Sequence, residues 1–254
     1  MADAPLPQQD EALREGLELV RGAEAEGIPL RLIGGLAVRV LCPGFPPRTR
    51  DRQDLDLGSV SRARAALTAF LTGRGYEPDR RFNALYGHKQ LFFASPSGRA
   101  VDVLIDRLDM CHVLPFEDRI ERMPLTLDVT DLLLSKLQIV ELNEKDVRDV
   151  IYLLSAYPVA EGDEPGTVGI ERIGRIVADD WGWWRTLTLN VARVRALLEQ
   201  GERVPPGAHH DPAGALEAIA RAAERVPKTL RWKLRAQVGE RKRWYRLPEE
   251  IEHD

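Results

Sequence analysis

Cysteines, long apolar runs and repeated segments are scarce or absent in this sequence of 254 residues. The two cysteines, Cys42 and Cys111, cannot form a disulfide framework, and neither has a Cys or His partner at the spacing of a structural zinc site. No run of about 18 apolar residues occurs, and the N-terminal segment is polar and acidic, so the sequence predicts neither a transmembrane span nor a signal peptide. We therefore expect reduced thiols in a cytoplasmic protein.

Charged residues are abundant and unevenly distributed. They make up 30% of the chain, against 44% hydrophobic residues, which is typical of a folded globular protein with a sizeable core. The net charge is -4, but residues 225–246 contain nine Lys or Arg and one acid and carry +8, which leaves -12 on the remainder. A basic segment on an acidic chain indicates contact with a polyanion such as RNA, or with a partner that has a negative surface.

Hydrophobic periodicity predicts helices and strands in the first part of the chain and helices in the last part. Between them, residues 158–168 contain glycines, a proline and acids without periodicity, which indicates a linker. We therefore expect a domain of residues 1–157, a linker of residues 158–168 and a helical region of residues 169–254 that carries the basic end. The predicted elements are a helix over 9–26, a strand over 30–33, a helix over 36–41, a hairpin over 90–105 with its turn at 95–98, a helix over 130–155 that breaks near Asn143, and helices over 170–179, 183–200, 213–225 and 228–244.

Helix N-caps are predicted where a short polar side chain precedes a periodic segment. Asn143 is the expected cap of the second half of the broken helix, and Thr130 is the expected cap of its first half. Ser59 or Ser61 is expected to cap the helix that follows it.

The stretch from Ile33 to Asp56 begins with two glycines and ends with two aspartates one residue apart. Alternate side chains of a strand share a face, so Asp54 and Asp56 would project together. Two adjacent carboxylates repel each other unless a cation neutralises them, and such oxygen pairs suit Mg²⁺. Gly34 and Gly35 would let backbone amides approach a phosphate, or would form a tight strand-to-helix turn, and both can hold at once. The stretch predicts a site for nucleotide and metal.

A third carboxylate is expected from the second strand of the hairpin. Asp102 and Asp106 alternate there with apolar residues, and an acid in an apolar strand needs a partner such as a bound cation. We assign the role to Asp102 and keep Asp106 as the alternative, because both would lie on the same strand face. Three carboxylates can support two divalent ions, one at the attacking hydroxyl and one at the leaving pyrophosphate.

The order of these motifs resembles the nucleotidyltransferase superfold, and within it the AbiEii-type nucleotidyltransferase toxins and their relatives, over about residues 9–156. The resemblance implies an α+β (α/β-like) fold in which a small mixed β-sheet is flanked by helices and followed by a helical C-terminal region. The matching residues are Gly34-Gly35, Arg50, Asp54-Leu55-Asp56, Val101-Asp102-Val103, Asp131-Leu132, Ser135-Lys136-Leu137, Lys145-Asp146 and Asp149.

The resemblance also implies roles for individual residues, with Asp146 as the general base. Asp149 would orient neighbouring basic groups. It assigns Mg²⁺ to Asp54, Asp56 and Asp102, nucleotide binding to Gly34, Gly35, Arg50, Lys136 and Lys145, and catalysis to Asp54, Asp56, Asp102, Lys136 and Asp146.

Two positions depart from the family pattern. Relatives often carry Ser or Thr two residues before the first acid, where this sequence has Arg52. They also often carry Gly-Ser where this chain has Gly34-Gly35, so a phosphate contact here would come from backbone N–H groups. Arg48, Arg50 and Arg52 would either offer charge to the triphosphate or form a solvated basic loop.

The activity implied by the resemblance is Mg²⁺-dependent transfer of a nucleoside monophosphate from an NTP to an acceptor hydroxyl. RNA, such as a tRNA end contacted by residues 225–246, is the first acceptor to test, and an antitoxin is a further expected partner. A small molecule such as an aminoglycoside, or a protein side chain, stays open as the acceptor. The alternative is a non-catalytic nucleotide- or nucleic-acid-binding module on the same fold.

Tryptophans are concentrated in the C-terminal region. The cluster of Trp181, Trp183 and Trp184 is expected to be core, as aromatic residues at helix starts usually are. Trp232, Trp244 and Tyr245 are interleaved with arginines, which predicts either stacking on RNA bases or a basic helix that docks on the acidic remainder.

Overall fold

The structure is a computed structural model that describes residues 11–46, 54–202 and 204–247. The chain forms two compact units. The first consists of Met1–Arg107 and Pro115–Asp128, and the second of Leu108–Leu114 and Val129–Asp254. The domains expected from the sequence, residues 1–157 and 169–254 with a linker at 158–168, rest on motifs and composition, and that division stays a prediction.

A five-stranded mixed sheet forms the centre of the first unit. Its spatial order is β1-β2-β5-β4-β3; the β2–β5 pair is parallel and the other pairs are antiparallel. The turn at residues 95–98 joins β4 to β5, so the predicted hairpin is confirmed. The strands are β1 Leu30–Leu32, β2 Leu55–Ser59, β3 Glu77–Pro78, β4 Gln90–Ala94 and β5 Ala100–Ile105.

The two faces of this sheet differ because side chains alternate along each strand. On one face Leu55, Leu57, Val101 and Val103 are fully buried, and Gly16 of helix α1 packs against Leu55. The other face carries the residues that alternate with these, Asp56 on β2 and Asp102 on β5, and both are half-buried. The helices of this unit are α1 Glu11–Ala25, α2 Gly34–Leu41, α3 Arg64–Gly73 and α4 Arg80–Tyr86, with 3-10 helices at Ser61–Ala63 and Glu117–Arg119.

The predicted serine caps are wrong. The helix α3 and the 3-10 helix before it have Ala63 and Val60 at their N-cap positions, and neither makes a side-chain cap. Instead Asp106 accepts the backbone N–H of Ser61 at 2.7 Å, so a residue from after the fifth strand satisfies this helix start.

The second unit is mainly helical. Its first segment, Leu108–Leu114, contains most of the paired short strands β6 and β7, whose outer residues Arg107 and Pro115 belong to the first unit. A pair of two-residue parallel strands, β8 and β9, follows α5 and α6 and precedes the last four helices. No helix in the described ranges is long and apolar enough to cross a membrane. The elements are β6 Arg107–Asp109, β7 Val113–Pro115, α5 Val129–Leu137, α6 Glu144–Ala156, β8 Val159–Ala160, β9 Val168–Gly169, α7 Ile170–Asp179, α8 Trp181–Glu199, α9 Pro212–Arg225, α10 Leu230–Val238 and a 3-10 helix at Gly239–Arg241.

The predicted break near Asn143 is confirmed, since its side chain accepts the N–H groups of Lys145 and Asp146 at the start of α6. The cap predicted at Thr130 is wrong. This residue lies inside α5, where its hydroxyl donates to the carbonyl of Thr167 and accepts the N–H of Gly169, both at 2.9 Å. Together the described elements confirm the expected class of a small mixed sheet flanked by helices and followed by a helical region.

Candidate active site

Two carboxylates from neighbouring strands lie side by side on the half-buried face of the sheet. Strands β2 and β5 are parallel, and their register makes Asp56 the partner of Asp102. Neighbouring strands are about 4.8 Å apart, and partners in a parallel pair project to the same face. Both side chains are half-buried. The pairing therefore concentrates two acids at one point of the sheet.

The start of α2 lies directly against this pair. Gly34 has a φ of 63°, and a Cβ atom built there would stand 2.6 Å from Oδ2 of Asp56. A side chain at this position would be strained and would displace the carboxylate. The Ile33 N–H also donates to the carbonyl of Asp56 at 2.9 Å, which ties the turn to β2. Gly34 is thus required both by the turn and by the close approach to Asp56.

The first turn of α2 has no side-chain cap, because its N-cap residue is Ile33. The first four N–H groups of a helix have no acceptor within the helix, and the helix dipole adds partial positive charge at this end. An anionic group such as a phosphate is favoured at such a position. The site therefore combines a carboxylate pair with backbone donors suited to an anion.

Gln90 on the neighbouring strand β4 orients one of the carboxylates. Its side-chain amide donates to Oδ1 of Asp102 at 2.5 Å. An amide carries no charge, so this hydrogen bond fixes the direction of the carboxylate without adding a counter-charge. Sequence reasoning missed Gln90. The signal was present, because the predicted hairpin with its turn at 95–98 places Gln90 and Phe92 on the face of Asp102.

Asp54 stands just before β2 and is exposed. Within the described ranges, no three His, Cys, Asp or Glu side chains form a group arranged to hold a metal ion. The site is thus built around a carboxylate pair, Asp56 and Asp102. Such a pair still fits Mg²⁺, which commonly binds through one or two carboxylates and completes its octahedron with waters and substrate phosphates.

Asp106 does not share the face of Asp102, so that expectation is wrong. Strand β5 ends at Ile105, and Asp106 has a φ of 64°, which breaks the alternation of side chains. Its carboxylate accepts the Ser61 N–H, as described above. Arg48, Arg50 and Arg52 lie outside the described residues, so the nucleotide-binding role of Arg50 stays a prediction.

The other predicted site residues belong to the second unit. There the Nζ atom of Lys136 lies 3.0 Å from Oδ1 of Asp146 and 3.0 Å from Oδ2 of Asp149. All three residues are buried, so Lys136 is not a surface lysine. Lys145 is exposed at the start of α6. The catalytic and nucleotide-binding roles of Lys136, Lys145 and Asp146 stay predictions. The structure groups Lys136 and Asp146 with Asp149.

The side chains of Cys42 and His112 each have a strongly shifted pKa, and neither shift suits catalysis near neutral pH. Burial raises the pKa of Cys42 to about 12, although Arg39 opposes the shift, so the thiol stays protonated. Burial also lowers the pKa of His112 to about 4. Its Nε2 lies 2.8 Å from Oγ1 of Thr186, and its ring packs against Trp183. His112 is a neutral core residue of the second unit.

The aromatic residues of the basic end pack within the second unit. The ring of Trp232 lies 5.3 Å from that of Trp184, and the indole N–H of Trp244 donates to Thr186 at 3.0 Å. Trp181 and Trp183 are buried, which confirms that they are core, whereas Trp184 of the same predicted cluster is half-buried. Binding of RNA by residues 225–246 stays a prediction. Trp232 and Trp244 already have ring contacts within the second unit.

Two solved structures are similar to this chain. One is the antibiotic-resistance factor ANT(2'')-Ia, with 12% sequence identity and a TM-score of 0.40, over 74% of this chain and 94% of that one. The other is an antigenic nucleotidyltransferase-like protein from Paracoccidioides brasiliensis, with 17% identity and a TM-score of 0.41, over 89% of this chain and 97% of that one. No family model and no curated protein matches the chain. Likenesses this distant establish neither a family nor an activity, so a function has to rest on the carboxylate pair and its surroundings.

Proposed function

We propose that this chain is a nucleotidyltransferase that transfers a nucleoside monophosphate from an NTP to an acceptor hydroxyl. The observation that supports the proposal is the register pairing of Asp56 with Asp102 beside the uncapped start of α2. The carboxylates provide oxygen ligands for a cation, and the helix start provides donors for the phosphates that such a cation accompanies.

In this proposal Asp56 and Asp102 would hold Mg²⁺, and the role of Asp54 as a further ligand stays an expectation from the resemblance. The bound ion would supply charge stabilisation at the phosphates and lower the pKa of the attacking hydroxyl. Gln90 holds Asp102 in position, and Gly34 leaves room for the Asp56 carboxylate. The N–H groups at the start of α2 donate to phosphate oxygens.

The reaction forms one bond and breaks one. The acceptor oxygen bonds to the α-phosphorus of the NTP, while the bond from that phosphorus to the bridging oxygen breaks and pyrophosphate leaves with the electron pair. The hydroxyl proton passes to water or to a basic group at the site; the general-base role of Asp146 stays an expectation from the family resemblance. RNA is the proposed acceptor, supported by the charge of +8 on residues 225–246. A toxin role and an antitoxin partner remain proposals from the resemblance alone.

A non-catalytic nucleotide-binding module is the second candidate. It is favoured by the finding that the described carboxylates form a pair and not a group of three. A module of this kind would use the start of α2 to bind the phosphates and would need no metal.

Label transfer distinguishes the two candidates. The protein is incubated with an NTP labelled on the α-phosphate, RNA and Mg²⁺, and the label in RNA is measured. We expect Asp56→Asn and Asp102→Asn to lower transfer by about 100-fold or more, because a lost metal ligand removes several kcal/mol of transition-state stabilisation. The matched control is Asp118→Asn, an exposed acid of the 3-10 helix Glu117–Arg119.

Equal transfer by Asp56→Asn and the wild type would overturn the proposed reaction. Absence of transfer by the wild type, together with NTP binding that needs neither Mg²⁺ nor Asp56, would support the binding module instead. Thermal melting of each variant establishes that a loss of transfer is not a loss of folding.

A further inference from the structure

A row of aromatic rings begins beside the carboxylate pair and extends to the surface of the first unit. Phe92 on β4 is the register partner of Asp102 and is half-buried on the same face. The ring of Phe82 lies 6.1 Å from that of Phe92, and the ring of Tyr86 lies 5.0 Å from that of Phe82. We call Phe92, Phe82 and Tyr86 the aromatic row.

Hydrogen bonds hold this row in register with Asp102. The side chain of Asn83 on α4 donates to the carbonyl of Phe92 at 3.0 Å and accepts its N–H at 2.7 Å. The backbone N–H of Asp79 also donates to the carbonyl of Phe92. The side chain of Asp79 caps the start of α4, where it accepts the N–H of Phe82 at 2.8 Å. Helix α4 is therefore tied to β4 at Phe92, the residue opposite Asp102.

The outer end of the row is exposed and its surroundings are basic. Tyr86 is 38% exposed and its neighbour Leu85 is 61% exposed, so two large side chains lie next to each other at the surface of α4. Three basic residues and one acid lie between residues 79 and 89, and the acid is the helix cap. Flat rings among basic side chains favour a polyanion that carries bases and disfavour a polycation such as an aminoglycoside.

The position of the row in the sheet indicates which substrate it contacts. In the strand order β1-β2-β5-β4-β3, the start of α2 lies against β2, whereas the aromatic row lies along β4, with the carboxylate pair between them. In phosphoryl transfer the attacking oxygen and the leaving group are roughly in line on opposite sides of the phosphorus. A triphosphate whose pyrophosphate lies at the start of α2 therefore places the acceptor on the side of β4.

We infer that Tyr86, at the exposed end of the aromatic row, stacks on a base of a single-stranded RNA acceptor. The inference rests on the proposed transfer reaction, because that reaction defines which side of the carboxylates receives the acceptor. It adds a binding surface within the first unit that is independent of the basic end at residues 225–246.

The test measures RNA binding and transfer separately. Binding of a fluorescein-labelled single-stranded RNA with a free 3′ hydroxyl is followed by anisotropy without NTP, and KM values for the NTP and for the RNA are measured in the transfer assay. We expect Tyr86→Ala to raise the Kd and the KM for RNA by about tenfold or more, because one stacked base contributes that much. The KM for the NTP should not change. Tyr86→Phe should retain the wild-type values, and Leu189→Ala, which removes an exposed leucine of α8, is the matched control.

A second RNA whose terminal nucleotides lack bases separates stacking from charge. We expect it to bind the wild type as weakly as the intact RNA binds Tyr86→Ala, and substitution of Tyr86 should have no further effect on its binding. An unchanged RNA Kd in Tyr86→Ala, or a raised KM for the NTP in place of the RNA, would overturn the inference. Failure of the transfer reaction shows instead as absence of label transfer by the wild type, and the anisotropy measurement still decides whether Tyr86 binds RNA.

Discussion

Replacement of Lys136 by methionine tests the energetics of the buried charge cluster in the second unit. The ammonium group contacts Asp146 and Asp149 at 3.0 Å each, and these carboxylates are 10% and 2% exposed. Methionine keeps much of the aliphatic length of lysine, so the main loss is the charge. Removal of one member of a buried ion pair lowers stability by about 3–5 kcal/mol, because the remaining charge stays buried. We expect the free energy of unfolding to fall by this amount.

Urea unfolding followed by tryptophan fluorescence measures the change, because Trp181 and Trp183 are buried in the same unit. Lys145→Met is the matched control, since Lys145 is an exposed lysine at the start of α6 and its loss should change stability by less than about 0.5 kcal/mol. Addition of Asp146→Asn and Asp149→Asn to the Lys136→Met variant should recover much of the lost stability, because no buried charge remains without its cation. If Lys136→Met is no less stable than Lys145→Met, the cluster does not stabilise the unit as inferred.

Two further substitutions test the site and the core. Gly34→Ala should lower label transfer far more than it lowers the melting temperature, because the added Cβ would stand 2.6 Å from Oδ2 of Asp56. Gly44→Ala is the control: its Cβ would have open space, so label transfer and the melting temperature should both stay unchanged. For His112, burial lowers the pKa from 6.5 to about 4, so its neutral form contributes stability above about pH 6.5 that is lost as the pH falls toward 4. Unfolding at a series of pH values should therefore show a shallower slope for His112→Phe over this interval, by up to about 3 kcal/mol in total, and an unchanged slope would contradict the assignment.

Local signals in the sequence predict much of the first unit. The turn at residues 95–98 defines the hairpin. The alternation of Asp102 with valines places Asp102 on the half-buried face of the sheet. Asn143 marks the start of α6 because a short amide side chain there can accept two backbone N–H groups. These features depend on residues a few positions apart, so a single sequence contains them.

The pairing of β2 with β5 has no such local signal. Asp56 and Asp102 are 46 positions apart in the sequence, and their register follows from the packing of a whole sheet. Asp106 shows the same limit: alternation predicts that it shares the face of Asp102, but the chain turns at a φ of 64° and its carboxylate satisfies the start of a 3-10 helix. Helix α4 was not predicted, because seven residues are too short for a clear apolar period.

The two acidic clusters differ in burial, and this difference favours the sheet as the site of chemistry. In the second unit the buried Asp146 and Asp149 are contacted by a lysine of the same chain, so the cluster contains its own cation. On the sheet, Gln90 contacts Asp102 through a neutral amide, the carboxylates are half-buried, and Gly34 leaves no side chain between Asp56 and the helix start. A half-buried carboxylate can be reached by a cation that keeps part of its water shell, whereas the ion pairs of the second unit are almost closed to solvent. The half-buried pair Asp56 and Asp102 beside the start of α2 is therefore the better candidate for binding a metal–phosphate complex.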